Sequence, residues 1–273
     1  MKRIRKSAPP NQLTIYAHAH PNDDWDQDFR NHANPGQRPG DDYRAIKQRL
    51  VEDQGGLCAY CETGIAELGP DLQRVEHYHP KSDTSDPAMN WHLHWENIMA
   101  VCIGGEKIRD VNFPRPANLS CDAHKNHYLT EHKLQDAELL AFIPELINPL
   151  CMPAFPPLLV FDRANHEIHP DSAQCAAFDA SQGLPQGETE RKLALTLEVL
   201  NLNCRRLCED RHQVFISYQK ELAKYRQQDV KNCRAILAQK WFGRTKWLPF
   251  FTTRRFLLGA EAEKILHARN FDG

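Results

Sequence analysis

The sequence predicts an α+β protein that is mostly helical and contains a small module held together by metal. Apolar residues recur at helical spacing from Tyr43 to Val51 and again from Thr189 to about Gln239. Between these stretches, residues 58 to about 130 are dense in Cys, His, Asn and Gly and contain no long periodic apolar segment. This composition is typical of a module that a bound ion stabilises in place of a large hydrophobic core.

Length and composition narrow the class of protein. The chain has 273 residues, 41% of them apolar, which excludes a wholly disordered or collagen-like protein. No stretch approaches the ~20 consecutive apolar residues of a membrane-spanning helix, and no apolar signal-peptide core follows the first ten residues. We therefore expect a soluble, cytoplasmic protein. A net charge of −2 argues against a globally basic nucleic-acid binder.

A weakly patterned arm and one helix precede the cysteine-rich module. Residues 1–40 are rich in Pro, Asn and Asp, which predicts an irregular arm with at most a short strand at Leu13–Tyr16. Asp41 and Asp42 are good N-cap residues, and the helix after them is expected to stop at the glycine pair 55–56. This helix leads directly into the first cysteine.

The region after the module is predicted to be mainly helical. The Pro-rich stretch 143–157 is expected to be a linker or a chain that crosses a surface, and Leu158–Phe161 and Glu167–His169 are predicted to pair as a short hairpin. The apolar spacing that begins at Thr189 predicts one or two amphipathic helices. We divide the chain into an N-terminal arm and helix (1–56), a central module (57–135) and a C-terminal helical region (136–273).

Two pairs of cysteines predict a closed structural zinc site. Cys58 and Cys61 form a C-x2-C unit, and Cys102 and Cys121 are suited to supply the second pair if the segment between them loops out. His124 is a competing ligand. Reduced core thiols or a redox C-x2-C are the alternative, although nine cysteines in a reducing compartment favour metal ligation over disulfides. The other cysteines are expected to carry no chemistry: Cys151, Cys175, Cys204, Cys208 and Cys233.

The segment VEHYHPKS, residues 75–82, places an acid and a histidine side by side on a predicted short strand. Glu76 and His77 are expected to point to opposite faces of this strand, so a shared active site requires a twist or a bulge. Asn97 follows about twenty residues later, in the string WENIMAVC, and Asp122 comes directly after Cys121.

The order C-x2-C, acid-His, Asn, Cys and Cys-Asp-x-x-Lys resembles the HNH endonucleases of the ββα-metal type. The fuller strings CAYCE, VEHYHPKS and WENIMAVC are similar to those of the PtuB subunit of Septu-type anti-phage defence systems. The resemblance is close over residues ~40–130. It implies a zinc-stapled ββα-metal module, flanked by the arm and the C-terminal helices, that cleaves phosphodiester bonds, with DNA as the expected substrate.

The resemblance also implies roles for single residues. Glu76 corresponds to the first metal-binding carboxylate, His77 to the general base that takes a proton from water, and Asn97 to the residue that orients this base. Asp122 falls at the last metal ligand, where His or Asn is commoner, and its carboxylate suits Mg2+ or Mn2+. Three residues are expected to contact phosphates: Lys81, Ser82 and Lys125.

The sequence does not decide the role of one further histidine, and it assigns no role to four others. His79 is a second metal ligand, a phosphate contact or simply an exposed imidazole. Four others are expected to be ordinary surface or interface residues: His92, His94, His127 and His132.

The stretch from Lys231 to Phe256 interleaves cations with aromatic rings and admits two interpretations. It is either a platform for nucleic acid or a set of buried rings with cations on the wet side. The resemblance favours a partner surface, since PtuB works with PtuA, an ABC/SMC-type ATPase, and in some systems with a retron reverse transcriptase and its RNA–DNA product. The sequence lacks G-x-x-x-x-G-K-[ST], so any nucleotide control must come from another chain.

Two other functions are compatible with the same residues. One is a zinc-dependent module that binds nucleic acid or protein without hydrolysis. The other is a nuclease that acts on RNA, such as tRNA, because a metal ion and a histidine attack a phosphodiester without reading the sugar.

Overall fold

The computed structural model describes all residues except the side chain of Pro70. The fold is mixed α/β and about half helical. Its elements in chain order are α1 (Asn11–Ala19), α2 (Asp41–Asp53), β1 (Gln73–His77), β2 (Ile98–Cys102), α3 (Cys121–Glu131), α4 (Asp136–Phe142), β3 (Leu159–Phe161), β4 (Ile168–Pro170), α5 (Ser172–Gln182), α6 (Glu188–Val199), α7 (Arg205–Gln227), α8 (Cys233–Phe242), α9 (Phe251–Leu258) and α10 (Ala260–Ala268).

The arm contains a helix where a short strand was expected, so that prediction is wrong. Leu13 and Tyr16 lie in α1 and are both buried, because residues three apart share one face of a helix. The carbonyl of Pro10 accepts hydrogen bonds from the backbone N–H groups of Leu13 and Thr14 at 3.0 and 3.1 Å, which closes the first turn. Only Leu13 and Tyr16 of these nine residues are buried, which is too weak a period to reveal the helix from sequence.

Helix α2 begins at Asp41, as expected, and ends two residues before Gly55. The cap position belongs to Gly40, which has φ +75°, and not to either aspartate. Asp41 and Asp42 both lie in the first turn, where their negative charges interact favourably with the helix dipole.

Strands β1 and β2 form a regular antiparallel pair. Glu76 lies opposite Met99 and His77 opposite Ile98, and the register runs without a bulge from Gln73 to His77. Every residue of β2 is buried, whereas those of β1 are half-buried. Helix α3 follows β2, so the chain order in this part is strand, strand, helix.

The hairpin predicted from Leu158 onward is confirmed, because β3 and β4 pair in antiparallel fashion. The stretch predicted as one or two helices instead holds α6, α7 and α8. Asn201 and Asn232, in the two connections, have positive φ angles of 44° and 59°. Asn tolerates this left-handed conformation better than most residues, which allows the chain to break there.

A single hydrophobic cluster contains buried side chains from all three parts of the chain, from Met1 to Phe271. Because the three predicted parts share this core, the boundaries between them at residues 56 and 135 stay a prediction. The aromatic rings of the basic stretch belong to this core: Trp241, Phe242, Phe250 and Phe251 are buried. These rings are packed inside the protein, which favours the core interpretation over a stacking platform. None of the described helices has both the length and the apolar character needed to cross a membrane.

Candidate active site and four-cysteine cluster

The four predicted cysteines meet in one buried cluster. Cys58 and Cys61 follow α2, Cys102 ends β2, and Cys121 begins α3. The Sγ atoms of Cys58 and Cys121 are 3.8 Å apart, those of Cys61 and Cys102 3.6 Å, and those of Cys102 and Cys121 3.7 Å. A tetrahedral zinc–thiolate site with bonds of ~2.3 Å requires sulfurs about 3.8 Å apart. The cluster therefore fits a tetrahedral metal ion.

Backbone groups around the cluster suit thiolates. The N–H of Cys102 donates to Sγ of Cys58 at 3.3 Å, and the N–H of Gly104 donates to Sγ of Cys102 at 3.4 Å. Burial raises the pKa of Cys58 and Cys121 well above the usual thiol range, so a cation is needed to hold them as thiolates.

The segment between Cys102 and Cys121 loops out, as expected. Its ends are joined by a hydrogen bond of 2.9 Å from the Ser120 N–H to the Gly104 carbonyl. Gly104 has φ +59°, and a Cβ atom there would lie 2.1 Å from the Ser120 carbonyl oxygen, so only glycine allows this approach. Nδ1 of His124 is instead 2.9 Å from the Val199 carbonyl, which leaves the four cysteines as the ligand set.

Three carboxylates and two cations gather on one face of β1, which we call the carboxylate face. Glu76 forms an ion pair with Lys125, one turn into α3. Nη1 of Arg74 is 3.2 Å from Oδ2 of Asp122, and Arg74 also pairs with Glu106. Arg74 and Glu76 share this face because alternate strand residues point the same way.

One carboxylate oxygen of Asp122, on the carboxylate face, is both buried and unpaired among the described residues. Its Oδ1 is buried and has no hydrogen-bond partner among the described atoms. Burial, with the nearby charge of Glu76, raises the pKa of Asp122 to about 6. A buried carboxylate oxygen without a partner, beside a second carboxylate, fits a divalent cation, which would satisfy the oxygen and offset the repulsion.

The ring of His77 lies on the other face of β1, which we call the histidine face. Its Nε2 is 3.0 Å from the carbonyl oxygen of His92, and its ring meets Trp25 edge-on with 5.2 Å between centroids. Since a carbonyl only accepts, Nε2 carries the hydrogen and Nδ1 keeps its lone pair. Burial lowers the pKa of His77 to about 4, so the ring is neutral at neutral pH and able to accept a proton at Nδ1.

The structure brings together some of the predicted site residues and separates others. Glu76, Asp122 and Lys125 meet on the carboxylate face. His77 bonds to the loop on the other face, and the pairing of β1 with β2 has no bulge that would bring adjacent side chains to one face. The site is therefore arranged as two half-sites on either side of one strand.

Comparison with known proteins identifies the family. No family model matches the sequence. A protein of Escherichia coli named "Retron Ec83 putative HNH endonuclease" is 34% identical over 258 residues, which cover 94% of this chain and 94% of the relative. The chain belongs to the HNH endonuclease family. The identity extends across nearly the whole length, so it includes the arm and the C-terminal helices as well as the HNH segment.

Asn97, the central asparagine of this HNH chain, forms hydrogen bonds with the backbone that follows β1. Oδ1 of Asn97 accepts a hydrogen bond of 2.7 Å from the His79 N–H, and Nδ2 donates to the carbonyls of His79 and Trp91 at 3.1 and 2.9 Å. The side chain is buried, and all three bonds go to main-chain atoms. Asn97 thus joins the end of β1 to the loop that carries Trp91 and His92.

The predicted phosphate contacts of the HNH segment have different surroundings. Lys81 forms an ion pair with Asp26 of the arm, and Ser82 lines a cavity of about 690 Å3 on the histidine face. Lys125 is buried against Glu76. Their roles toward phosphate stay predictions.

Sequence reasoning missed several residues that shape the two half-sites. Arg74 stands two positions before Glu76, and this period of two was the signal that could have revealed it. Trp25 and His92 had no such signal. The first lies in the weakly patterned arm, and the second acts through its carbonyl oxygen, which every residue type possesses.

Proposed function

We propose that this chain is a metal-dependent HNH endonuclease that hydrolyses phosphodiester bonds, with DNA as the principal substrate. The observation that carries the proposal is the buried, unpartnered Oδ1 of Asp122 beside Glu76, in a chain of the HNH family. Zinc is the proposed ion of the four-cysteine cluster, because thiolates in tetrahedral arrangement are its usual ligands. Mg2+ or Mn2+ is proposed for Glu76 and Asp122, whose hard oxygen donors suit these ions.

The two half-sites have different roles in hydrolysis: one binds the metal ion and the other transfers a proton. A divalent ion held by Glu76 and Asp122 would polarise the scissile phosphate and stabilise the leaving oxygen. His77 takes a proton from the attacking water at Nδ1, and the His92 carbonyl keeps the ring in the tautomer that this requires. Lys125 neutralises Glu76 in its ion pair, and when released it is a cation suited to a phosphate oxygen.

The test is cleavage of matched DNA and RNA pools with Mg2+ or Mn2+, by the wild type and by His77→Ala. The control is His127→Ala, since His127 forms its ion pair with Glu131 of the same helix, at 3.2 Å. We expect DNA cleavage by the wild type and the control, and a loss of ~10²–10⁴-fold in His77→Ala. Equal cleavage by His77→Ala and the wild type removes His77 from catalysis.

Other outcomes of the same assay point to the alternatives. Preferential cleavage of RNA supports the RNA-directed nuclease. Binding of nucleic acid without metal-dependent cleavage supports a non-catalytic, zinc-dependent binding module. Neither alternative changes the proposed role of the four-cysteine cluster.

We further propose that the nuclease is the effector of a retron-type or Septu-type anti-phage defence complex, as a PtuB-like subunit. The retron in the name of the Escherichia coli relative and the strings CAYCE and VEHYHPKS support this. The expected partners are a PtuA-like ABC/SMC-type ATPase and a retron reverse transcriptase with its RNA–DNA product. Co-expression with these partners from one locus, followed by affinity purification of the tagged chain, tests it. Purification of the chain alone contradicts the complex.

A further inference from the structure

His79 is the histidine of the VEHYHPKS segment that the proposed mechanism does not use. It lies two residues beyond His77, the residue at which β1 ends, and its contacts place it beside the histidine face. His77 bonds the carbonyl of His92, and the ring of His79 packs on the neighbouring Trp91 with 4.0 Å between centroids. Both histidines therefore contact the same loop.

Three separate interactions hold His79. Asn97 bonds its N–H and its carbonyl, Trp91 packs against its ring, and Nε2 lies 2.6 Å from Oδ2 of Asp83. About a fifth of the His79 side chain stays exposed (22%), while only 7% of Asp83 is exposed. The ring is thus fixed in place without being sealed from solvent.

The partner of His79 is an ionised carboxylate. The Ser85 N–H donates to Oδ1 of Asp83 at 2.9 Å, and this bond together with His79 lowers the pKa of Asp83 to about 2. Since the carboxylate accepts from Nε2, the free nitrogen of His79 is Nδ1. A buried carboxylate that orients an imidazole and neutralises its charged form is the arrangement that enzymes use for proton transfer.

The surroundings of His79 suit a nucleic-acid strand. Asp83 and Trp91, which contact His79, line together with Lys81 the cavity of about 690 Å3 between the arm and the loop that follows β1. The cation at its rim and the aromatic ring in its wall match a phosphate and a base.

We propose that His79, oriented by Asp83, is a second catalytic residue that donates the Nδ1 proton of its imidazolium to the leaving oxygen of the phosphodiester. This inference rests on the proposed nuclease function. In the step, the water oxygen bonds to phosphorus while the bond from phosphorus to the leaving oxygen breaks. His77 receives the proton of the water, and the leaving oxygen receives the proton of His79. Both histidines then exchange protons with solvent.

A change of leaving group separates proton donation from structural support. We compare an oligonucleotide with an ordinary linkage at the wild-type cleavage position and the same oligonucleotide in which sulfur replaces the bridging oxygen that leaves, so that a thiolate departs without a proton. For His79→Gln we expect a loss of ~10²–10⁴-fold on the ordinary linkage and a loss below about tenfold on the sulfur linkage. For Asp83→Asn we expect the same pattern on the two linkages, with smaller losses of rate than in His79→Gln.

The matched control is His127→Gln, because His127 and Glu131 form another histidine–carboxylate pair four residues apart, on the surface of α3. Circular dichroism confirms that each variant is folded. Equal losses by His79→Gln on the two linkages, or no loss on either, overturn the inference while the proposed function stands. If the wild type cleaves neither linkage, the proposed function itself fails and the inference fails with it.

Discussion

The four-cysteine cluster and the two half-sites of β1 show opposite relations between sequence and space. Cys58 and Cys121 are 63 residues apart, yet their sulfurs lie 3.8 Å from each other. Glu76 and His77 are adjacent, yet their side chains bond to different elements on opposite faces. Ligands of one ion have to converge however far apart they are in the chain, and these four cysteines are placed to hold one, whereas the pleat of a regular strand separates neighbours. Closeness along the chain is therefore a poor guide to which side chains meet in this protein.

The largest expected effect is the loss of the cysteine cluster. Cys58→Ser removes a buried ligand from a structural site whose ion contributes on the order of 10 kcal/mol of apparent binding free energy, more than the stability of many domains. We expect the variant to lose zinc and to unfold far below the melting temperature of the wild type, measured by metal analysis and thermal denaturation. Cys151→Ser is the control, since Cys151 is exposed. A folded, zinc-replete Cys58→Ser protein contradicts the prediction.

The two half-sites are expected to respond differently to metal. Asp122→Asn weakens the carboxylate pair, so cleavage should require a higher Mg2+ concentration. His77→Gln leaves this pair intact, so cleavage should keep its Mg2+ midpoint and lose ~10²–10⁴-fold in maximal rate. Titration of cleavage rate against Mg2+ measures both quantities. Identical midpoints and identical maximal rates in the two variants would contradict the division into a metal half-site and a proton half-site.

A structural feature can be predicted from the sequence when interactions between residues close in the chain determine it. The cysteine spacing and the β3–β4 hairpin depend on local turns and on residue types with few alternatives, and the sequence predicts both. The ion pair of Glu76 with Lys125 depends on how α3 docks against β1, which no local pattern specifies. The bond from His77 to the His92 carbonyl uses a backbone atom and leaves no trace in residue type. Adjacency in VEHYHPKS predicts opposite faces correctly but not which partners each face finds.

Asn97 couples the strand to the loop on the histidine face, so its loss should affect that half-site first. Asn97→Ala leaves the N–H and carbonyl of His79 and the carbonyl of Trp91 without their partners. We expect the free energy of unfolding to fall by about 3 kcal/mol, at roughly 1 kcal/mol for each lost bond. Urea denaturation measures this change. The Mg2+ midpoint of any remaining cleavage should stay near that of the wild type, and a strong shift would mean that the two faces are coupled through Asn97.

The smallest expected effect concerns Lys81, at the rim of the histidine face. Its ion pair with Asp26 is partly exposed, so Lys81→Ala should change the free energy of unfolding by less than about 1 kcal/mol. If Lys81 contacts a phosphate, the same change weakens binding to all sequences alike and reduces the slope of log affinity against log salt by about one. Binding of a labelled DNA duplex at several salt concentrations, without divalent ion, measures this slope. Arg205→Ala is a matched control, because Arg205 also forms an exposed ion pair, with Glu209 on α7. An unchanged slope in Lys81→Ala would restrict the role of Lys81 to its pair with the arm, and the histidine face would then lack its expected phosphate contact.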